Sequence, residues 1–440
     1  MNKYYKELND YIFSKISKDE ILKTGMWGEN SQFIRMNNSK VRQTGVIDDM
    51  SYSISLISNN KQTSTSQTIT GDLITDKKRL TDVLDMLRNN IKHIPEDPYI
   101  VYPTDGESSK EKHQGELLNF DNAVNNLLPI MQGVDLTGIW ASGSIYTGAA
   151  NSLGQNHWFE TETFSLDYSL ITSNQRMVKD CFAGTIWNQD EYEKYIENSK
   201  NKLEIMKKDA LKIDPGKYRT YIAPAGVADI VGMFSWGGIS ESSLQQKDSA
   251  LLKMRQDNLK LAPCFNLTED FSNGMVPRFN GNGEIAPESL PLIVNGALKN
   301  TLVSTRTEKE YGTPSNFASG SEGLRSPNIG NGDLKEENIL AKLNKGVYLS
   351  NLHYLNWSDR LGGRITGMTR YACFYVENGE IVAPIENMRF DDTIYNVFGS
   401  ELESVTNTTQ LIPDIGTYDG RNFGGTYSPG ILLKSFDLTL

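Results

Sequence analysis

Apolar side chains recur three and four residues apart at Tyr5, Leu8, Ile12 and Ile16, a spacing that predicts an opening helix. The period then changes. SQFIRMN, SYSISLIS and KQTSTSQTIT alternate every second residue and predict an antiparallel sheet. Thr75 is placed to cap a second helix running to about His93, with Leu80, Val83, Leu84, Leu87 and Ile91 as its buried stripe. A third helix is expected from near Asn119, interrupted at Pro129. Strands return between Asp135 and Thr172, with breaks expected at Gly143, Gly148 and Gly154 and the clearest alternation in HWFETETFSLDYSLI. A polar helix over 189–211, apolar at Tyr192, Ile196, Leu203 and Met206, closes this region.

The Asp214-Pro215-Gly216 turn marks a boundary, so residues 1–214 and 215–440 are read as two domains. The second opens with the strand KYRTYIA, followed through Pro224 by a short apolar helix, DIVGMFSW, ending at Gly237-Gly238. Two hairpins are expected, turning at Asn295-Gly296 and Asn378-Gly379, because Asn-Gly supplies the positive φ angles of a type I′ turn. The Gly/Ser/Asn-rich stretch from Tyr311 to Gly332 reads as a long surface loop. The fold class expected is α+β: an N-terminal antiparallel sheet with helices, then a β-rich C-terminal domain.

Composition narrows the function. The 440 residues, 38% hydrophobic and 10% aromatic, suffice for two cores. Net charge is 44 − 55 = −11 with the basic residues dispersed, which argues against nucleic acid as a ligand. No apolar run approaches the roughly 20 residues of a membrane span, and the first residues read as an amphipathic helix rather than a signal peptide. Cys181, Cys264 and Cys373 are odd in number and far apart, so a reducing compartment, the cytoplasm, is expected.

Zinc hydrolysis requires imidazole, thiolate or carboxylate donors converging on one ion, most simply from two histidines one helical turn apart. His93, His113, His157 and His353 are each isolated and read as surface or structural residues. The cysteines sit in apolar, strand-like contexts, where a buried thiol stays inert. Asp391-Asp392 and Glu401-Glu403 read as solvated surface. The densest polar cluster is NLHYLNWSDRLGGRITGMTR, in which Asn356, Trp357, Asp359, Arg360, Arg364 and Arg370 offer an aromatic platform and fork-shaped donors. That pattern suits a loop binding a peptide or partner, and equally an Asp-Arg network pinning a loop against a sheet.

Five segments in this order, SQFIRMNNSKVRQTG, NSLGQNHWFETET, KYRTYIAPAGVADIVGMFSW, YGTPSNFASGSEG and ITGMTRYACFYVENGEIVAPI, resemble the TldD/TldE family over nearly the full chain. Its TldE member is also called PmbA and was first labelled a modulator of DNA gyrase. In that family TldD holds zinc with a His-Glu-x-x-x-His helix and a distant cysteine, whereas TldE lacks these ligands. The resemblance puts Gly232, Met233 and Gly237 at the two histidines and the glutamate, and Tyr418 at the cysteine, so this chain is similar to the TldE side. It implies a former metal site, on a short helix, plugged by Phe234, Trp236 or a neighbour.

What the resemblance implies about function is a non-catalytic subunit, without cofactor of its own, of a cytoplasmic zinc metallopeptidase complex acting on unfolded or leader peptides. Zinc is then expected in a TldD-like partner. The alternative is a stand-alone binding or scaffold protein, a homodimer using the 351–370 segment. A metal-free hydrolase would have to draw on Glu241, Asp359 and His353.

Overall fold

The structure, a computed structural model, describes residues 1–416 and 420–440. Strands hold 41% of the chain and helices 24%, a mixed α+β architecture. The N-terminal half comprises helices α1 (Asn2–Phe13), α2 (Leu73–Asn90), α3 (Ala123–Leu127) and α4 (Gln189–Met206). Its strands are β1 (Ile21–Asn37), β2 (Lys40–Ser58), β3 (Lys61–Thr68), β4 (Ser108–His113), β5 (Asp135–Asn151), β6 (Asn156–Ile171) and β7 (Met177–Gly184). They form one seven-stranded sheet in the order β3-β2-β1-β5-β6-β4, with β7 also on β6.

Alternation assigns the two faces of this sheet different tasks. Leu22, Met26, Ile34 and Met36 of β1 point to the helical face. At one end of that face α1 and α2 bury Tyr5, Leu8, Ile12, Leu80, Leu84 and Leu87 completely; at the other α4 buries Tyr192, Ile196, Leu203 and Met206. Each such side chain contributes about 1.5–3 kcal/mol of burial free energy. The intervening positions of β1, Glu29, Ser31, Phe33 and Arg35, face the C-terminal half instead.

Several expected boundaries move. Asp72, not Thr75, caps α2, its carboxylate accepting the Thr75 N–H at 2.8 Å from extended backbone, and a 3-10 turn over Ile91–His93 replaces the last α-helical turn. The third helix is one α-turn between two 3-10 turns, the second starting at Pro129. α4 ends at Met206 rather than 211. β5 runs unbroken through Gly143 and Gly148. At Gly143 a Cβ would stand 2.2 Å from the Asn30 carbonyl oxygen, so this glycine permits close approach of strands and does not end one.

The second half begins with β8 (Gly216–Ile222) and α5 (Pro224–Gly232). It continues through β9 (Leu267–Asp270), β10 (Ser289–Val294), β11 (Ala297–Leu298), β12 (Pro327–Ile329), β13 (Gly346–Leu349), β14 (Asn351–Asp359) and β15 (Arg364–Arg370). It finishes with β16 (Phe374–Glu377), β17 (Glu380–Pro384), β18 (Arg389–Thr393), β19 (Leu402–Val405), β20 (Gln410–Pro413), β21 (Gly425–Ser428) and β22 (Ile431–Leu438). A six-stranded sheet runs β11-β10-β9-β12-β21-β20, and a nine-stranded sheet runs β14-β15-β18-β22-β8-β13-β16-β17 with β19 on β22. α5 contributes Val227, Ile230 and Val231 to the large core of this half. The halves also share packing, since Ala372 and Phe374 join the core beneath α4.

Both Asn-Gly turns have the expected positive φ angles, 48° and 73° at Asn295-Gly296 and 54° and 75° at Asn378-Gly379. Three other expectations are corrected. The 311–332 stretch is not simply surface: Glu322 is 2% exposed and accepts hydrogen bonds from the Ser304 and Ser242 N–H groups and the Ser240 hydroxyl. Asp392 is buried, not solvated, accepting from the Thr393 and Asp437 N–H groups and Asn396. Glu403, half-buried, is paired with Arg219. The 351–370 segment is no loop but the antiparallel hairpin β14–β15. Among the described residues no helix is long and apolar enough to cross a membrane.

Candidate functional site

Pro224 starts α5 with the φ angle a first helical turn needs, and the helix holds its α form only to Gly232. A 3-10 turn follows over Met233–Ser235, and the chain reverses at Gly237, whose φ is +83°. The Phe234 carbonyl accepts the N–H groups of Gly238 at 3.0 Å and Ile239 at 2.9 Å, closing the helix end. Gly232 and Gly237 therefore do not share one continuous helix.

Of the expected fillers, a neighbour closes one of the two glycine positions and nothing closes the other. A Cβ at Gly232 would meet nothing within 4 Å, so that position is open. Met233 is buried at 4% exposure. Gly237 is closed, but by Arg360 of the hairpin, whose side chain lies 3.0 Å from where a Cβ would stand. Phe234 turns into the core against Phe398, and Trp236 stays 53% exposed. Asp229, one turn before Gly232, reaches solvent, yet desolvation by the protein packed around it pushes its carboxyl up to about 7.

Two groups of residues separated by more than a hundred positions thus meet here. The Trp357 indole N–H donates to the Trp236 carbonyl at 2.6 Å, and Arg360 pairs with Asp248 at 2.7 Å. Arg364 pairs with Asp391 at 2.8 Å, and Asp359 accepts the Gly362 N–H at 3.0 Å. Most of the polar hairpin residues are thereby engaged in holding it. Asn356 is exposed, and Arg370 lies 5.2 Å over the Tyr371 ring; neither side chain has a hydrogen bond among the described residues. A bulge between His353 and Asn356 turns Tyr354 outward at 75% exposure, with φ +54° and the His353 ring 4.0 Å away. Desolvation, with Arg370 nearby, lowers the His353 pKa.

Glu241, Asp359 and His353 have separate partners. Glu241 is 1% exposed and accepts from both Arg255 terminal nitrogens, Thr301 and Gln245. Burial alone would raise its pKa, but these hydrogen bonds outweigh it and bring the carboxyl to about 2, leaving no basic lone pair for catalysis.

The zinc that TldD members of the family hold does not fit the residues present at these positions. Two glycines and a buried neutral thioether supply no imidazole, thiolate or carboxylate, and the side chain over Gly237 is a fixed cation that repels a second one. Among the described residues no three of His, Cys, Asp and Glu converge on a point where an ion could bind. Tyr418 lies outside the described residues.

Sequence reasoning missed a cavity of about 970 Å³ between the open face of the N-terminal sheet and residues 414–416 and 420–422, which lie between β20 and β21. α5 packs against the same two strands. Arg421 reaches down from that segment, donating to the Ser31 hydroxyl at 3.2 Å, the Gly143 carbonyl at 3.1 Å and the Thr163 carbonyl at 2.8 Å. Desolvation lowers its pKa to about 10. The available signal was the length of β1 and β2, 17 and 19 residues, more than one set of helices could cover.

Three solved structures are similar over nearly the whole chain. A TldE from Thermococcus kodakarensis has 13% identity and a TM-score of 0.77, covering 99% of this chain and 100% of its own. A proposed modulator of a DNA gyrase from Thermotoga maritima has 15% identity and a TM-score of 0.77, covering 99% and 100%. A proposed modulator of DNA gyrase from Bacteroides thetaiotaomicron has 14% identity and a TM-score of 0.79, covering 99% and 98%. At these identities the likeness is one of fold. No curated protein matches the sequence. Residues 215–440 match the family described as PmbA/TldA metallopeptidase C-terminal domain, and the chain belongs to this TldD/TldE (PmbA) family.

Proposed function

We propose that this chain is a non-catalytic, TldE/PmbA-like subunit of a TldD/TldE-type zinc metallopeptidase complex acting on unfolded or leader peptides. The observation that carries the reading is Arg360, a guanidinium fixed by Asp248 over Gly237, where the TldD pattern has a zinc-binding histidine. In this reading zinc belongs to a TldD-like partner. This chain supplies a wall of the substrate channel, and the setting is cytoplasmic. β14 is the edge of the nine-stranded sheet, so an extended peptide adds to it by backbone hydrogen bonds beside Asn356 and Arg370. The test is to purify the chain alone and with a TldD-like protein of the same organism. Zinc-dependent peptidase activity is expected only from the mixture; the same activity from this chain alone overturns the proposal.

A second reading is a stand-alone binding or scaffold homodimer that uses the hairpin. It is favoured by the exposure of Trp236, Tyr354 and Leu361 on and beside it, 53%, 75% and 47%. Persistent failure to co-purify with a TldD-like chain, with a stable dimer in solution, selects it.

A further inference from the structure

An edge strand leaves a row of backbone groups unpaired, and folded proteins blunt such edges with charge, proline, bulges or shortness. Most edges here are blunted. β4 carries Lys110, Glu111 and Lys112, β11 has two residues, and β20 has four and ends in Pro413. β14 is bulged twice, and β17 is bulged and ends in Pro384. β3 has none of these devices. Its eight residues, Lys61 to Thr68, run in unbroken register with β2, and the only charge is at the first position.

The Ile69 N–H bonds the Met50 carbonyl, which fixes the alternation of the ladder. Thr63, Thr65 and Gln67 turn their backbone groups to β2, and Gln62, Ser64, Ser66 and Thr68 turn theirs outward. Among the described residues nothing bonds that outward row. A second β3, antiparallel and related by a two-fold axis at Thr65, is the arrangement that pairs all four outward residues. Gln62 then meets Thr68, Ser64 meets Ser66, Thr63 meets Gln67 and Thr65 meets its own copy, with about eight backbone hydrogen bonds. Hydroxyls and amides oppose one another throughout, and no like charges do.

Two further observations point to the same occupant. The Gln67 Nε2 is enclosed yet has no hydrogen-bond partner among the described residues. Gln67 is in line with Tyr52 on the helical face, whereas Gly416 and Gly420 stand over the opposite face. In the two-fold pairing the Thr63 hydroxyl of the second copy comes opposite this amide and accepts from it. α2 lies under β2 and β3, bonded to α1 on its inner side through Tyr4 and Tyr11. Its outer flank carries Arg79, Val83 and Met86 at helical spacing, and Met86 is 42% exposed. The same axis brings the two outer flanks together and covers that thioether.

We propose that β3 is a self-association edge, through which two copies of this chain join as antiparallel strands about a two-fold axis at Thr65. The inference stands independently of the subunit reading, since β14 belongs to a different sheet.

Sedimentation velocity on the full chain tests it. One strand pair with little apolar area is a small interface, so a reversible dimer with a dissociation constant on the order of 10 μM is expected. Thr65→Lys sets two ammonium groups against each other on the axis and is expected to raise that constant about five-fold, while an edge lysine leaves the sheet intact. Should that variant not fold, Thr65→Cys in a Cys264→Ser background reads the same geometry. It is expected to form a disulfide-linked dimer on mild oxidation, because facing residues of this kind have Cα atoms about 4.5 Å apart. Thr63→Cys, which faces Gln67 and not itself, is expected to stay unlinked. A monomer at about 100 μM, or Thr63→Cys linking as readily as Thr65→Cys, overturns the proposal. So does a dimer indifferent to Thr65→Lys, which would point to the hairpin 351–370 instead.

Discussion

Glu241→Gln removes one negative charge from a fully enclosed position while keeping the side chain's shape. In the native protein Glu241 accepts from both terminal nitrogens of Arg255, at 2.8 and 2.6 Å, from the Thr301 hydroxyl at 2.6 Å and from Gln245 at 2.7 Å. Its carboxyl is brought to about 2 against an ordinary 4.5. At about 1.36 kcal/mol per pKa unit this corresponds to roughly 3 kcal/mol of stability near neutral pH. Arg255 is 37% exposed and regains water when its partner is lost, which brings the expected cost to about 2 kcal/mol. The sign follows from a depressed carboxylate: the contribution is complete above pH 4.5 and lost as pH falls toward 2. Urea unfolding of the two proteins, compared at pH 7 and at pH 3, measures it. The variant is expected to lag at pH 7, and the gap to shrink to roughly half or less at pH 3. A gap that is the same at both pH values, or no gap at pH 7, refutes the assignment of Glu241 as a charged anchor.

Gly232→Ala and Gly237→Ala should move in opposite directions, measured by the same unfolding experiment. The first gains about 0.5–1 kcal/mol, because its helical site is open, and the second loses at least about 1 kcal/mol, to positive φ and contact with Arg360. Trp357→Phe removes the hydrogen bond to the Trp236 carbonyl and is expected to cost about 1 kcal/mol, with faster amide exchange in β14 and β15. Asp229→Asn should match the parent below pH 4 and become relatively more stable as pH rises through about 7, because the native carboxyl is raised and its ionisation disfavours the fold; an unchanged difference across that range counts against it. An aromatic disulfide reagent should modify Cys264 ahead of Cys181 and Cys373 in the native protein, since those two are buried and Cys264 is partly exposed; equal rates for all three would contradict the packing.

Where one periodicity governed a segment, the fold was legible. The stripe of α2, the apolar side of α4 and both Asn-Gly hairpins are where spacing puts them, because packing there uses one face of one element. Gly143 and Gly148 misled because glycine marks both a chain break and a place where another element comes close. Gly148 lies under the Tyr5 ring, a contact between residues far apart in sequence. The hairpin 351–370 reads as a loop in sequence because a bulge at Tyr354 breaks its alternation.

The same contrast explains what was readable at the sites. Absent ligand types are a local property, so the positions at Gly232, Met233 and Gly237 needed only the helix around them. What fills the space is not local: of the expected fillers, Phe234 and Trp236 are committed to the core and to solvent, and the neighbour that closes Gly237, Arg360, reaches it from another part of the chain. The cavity at Glu29 lies further still from any local signal. It requires β2, β1, β5 and β6 in register and Arg421 arriving from 392 residues away. Along β1 alone, Glu29 and Ser31 look like the solvent side of an amphipathic strand. Only the second half, packed over that face, turns a solvated carboxylate into a buried one.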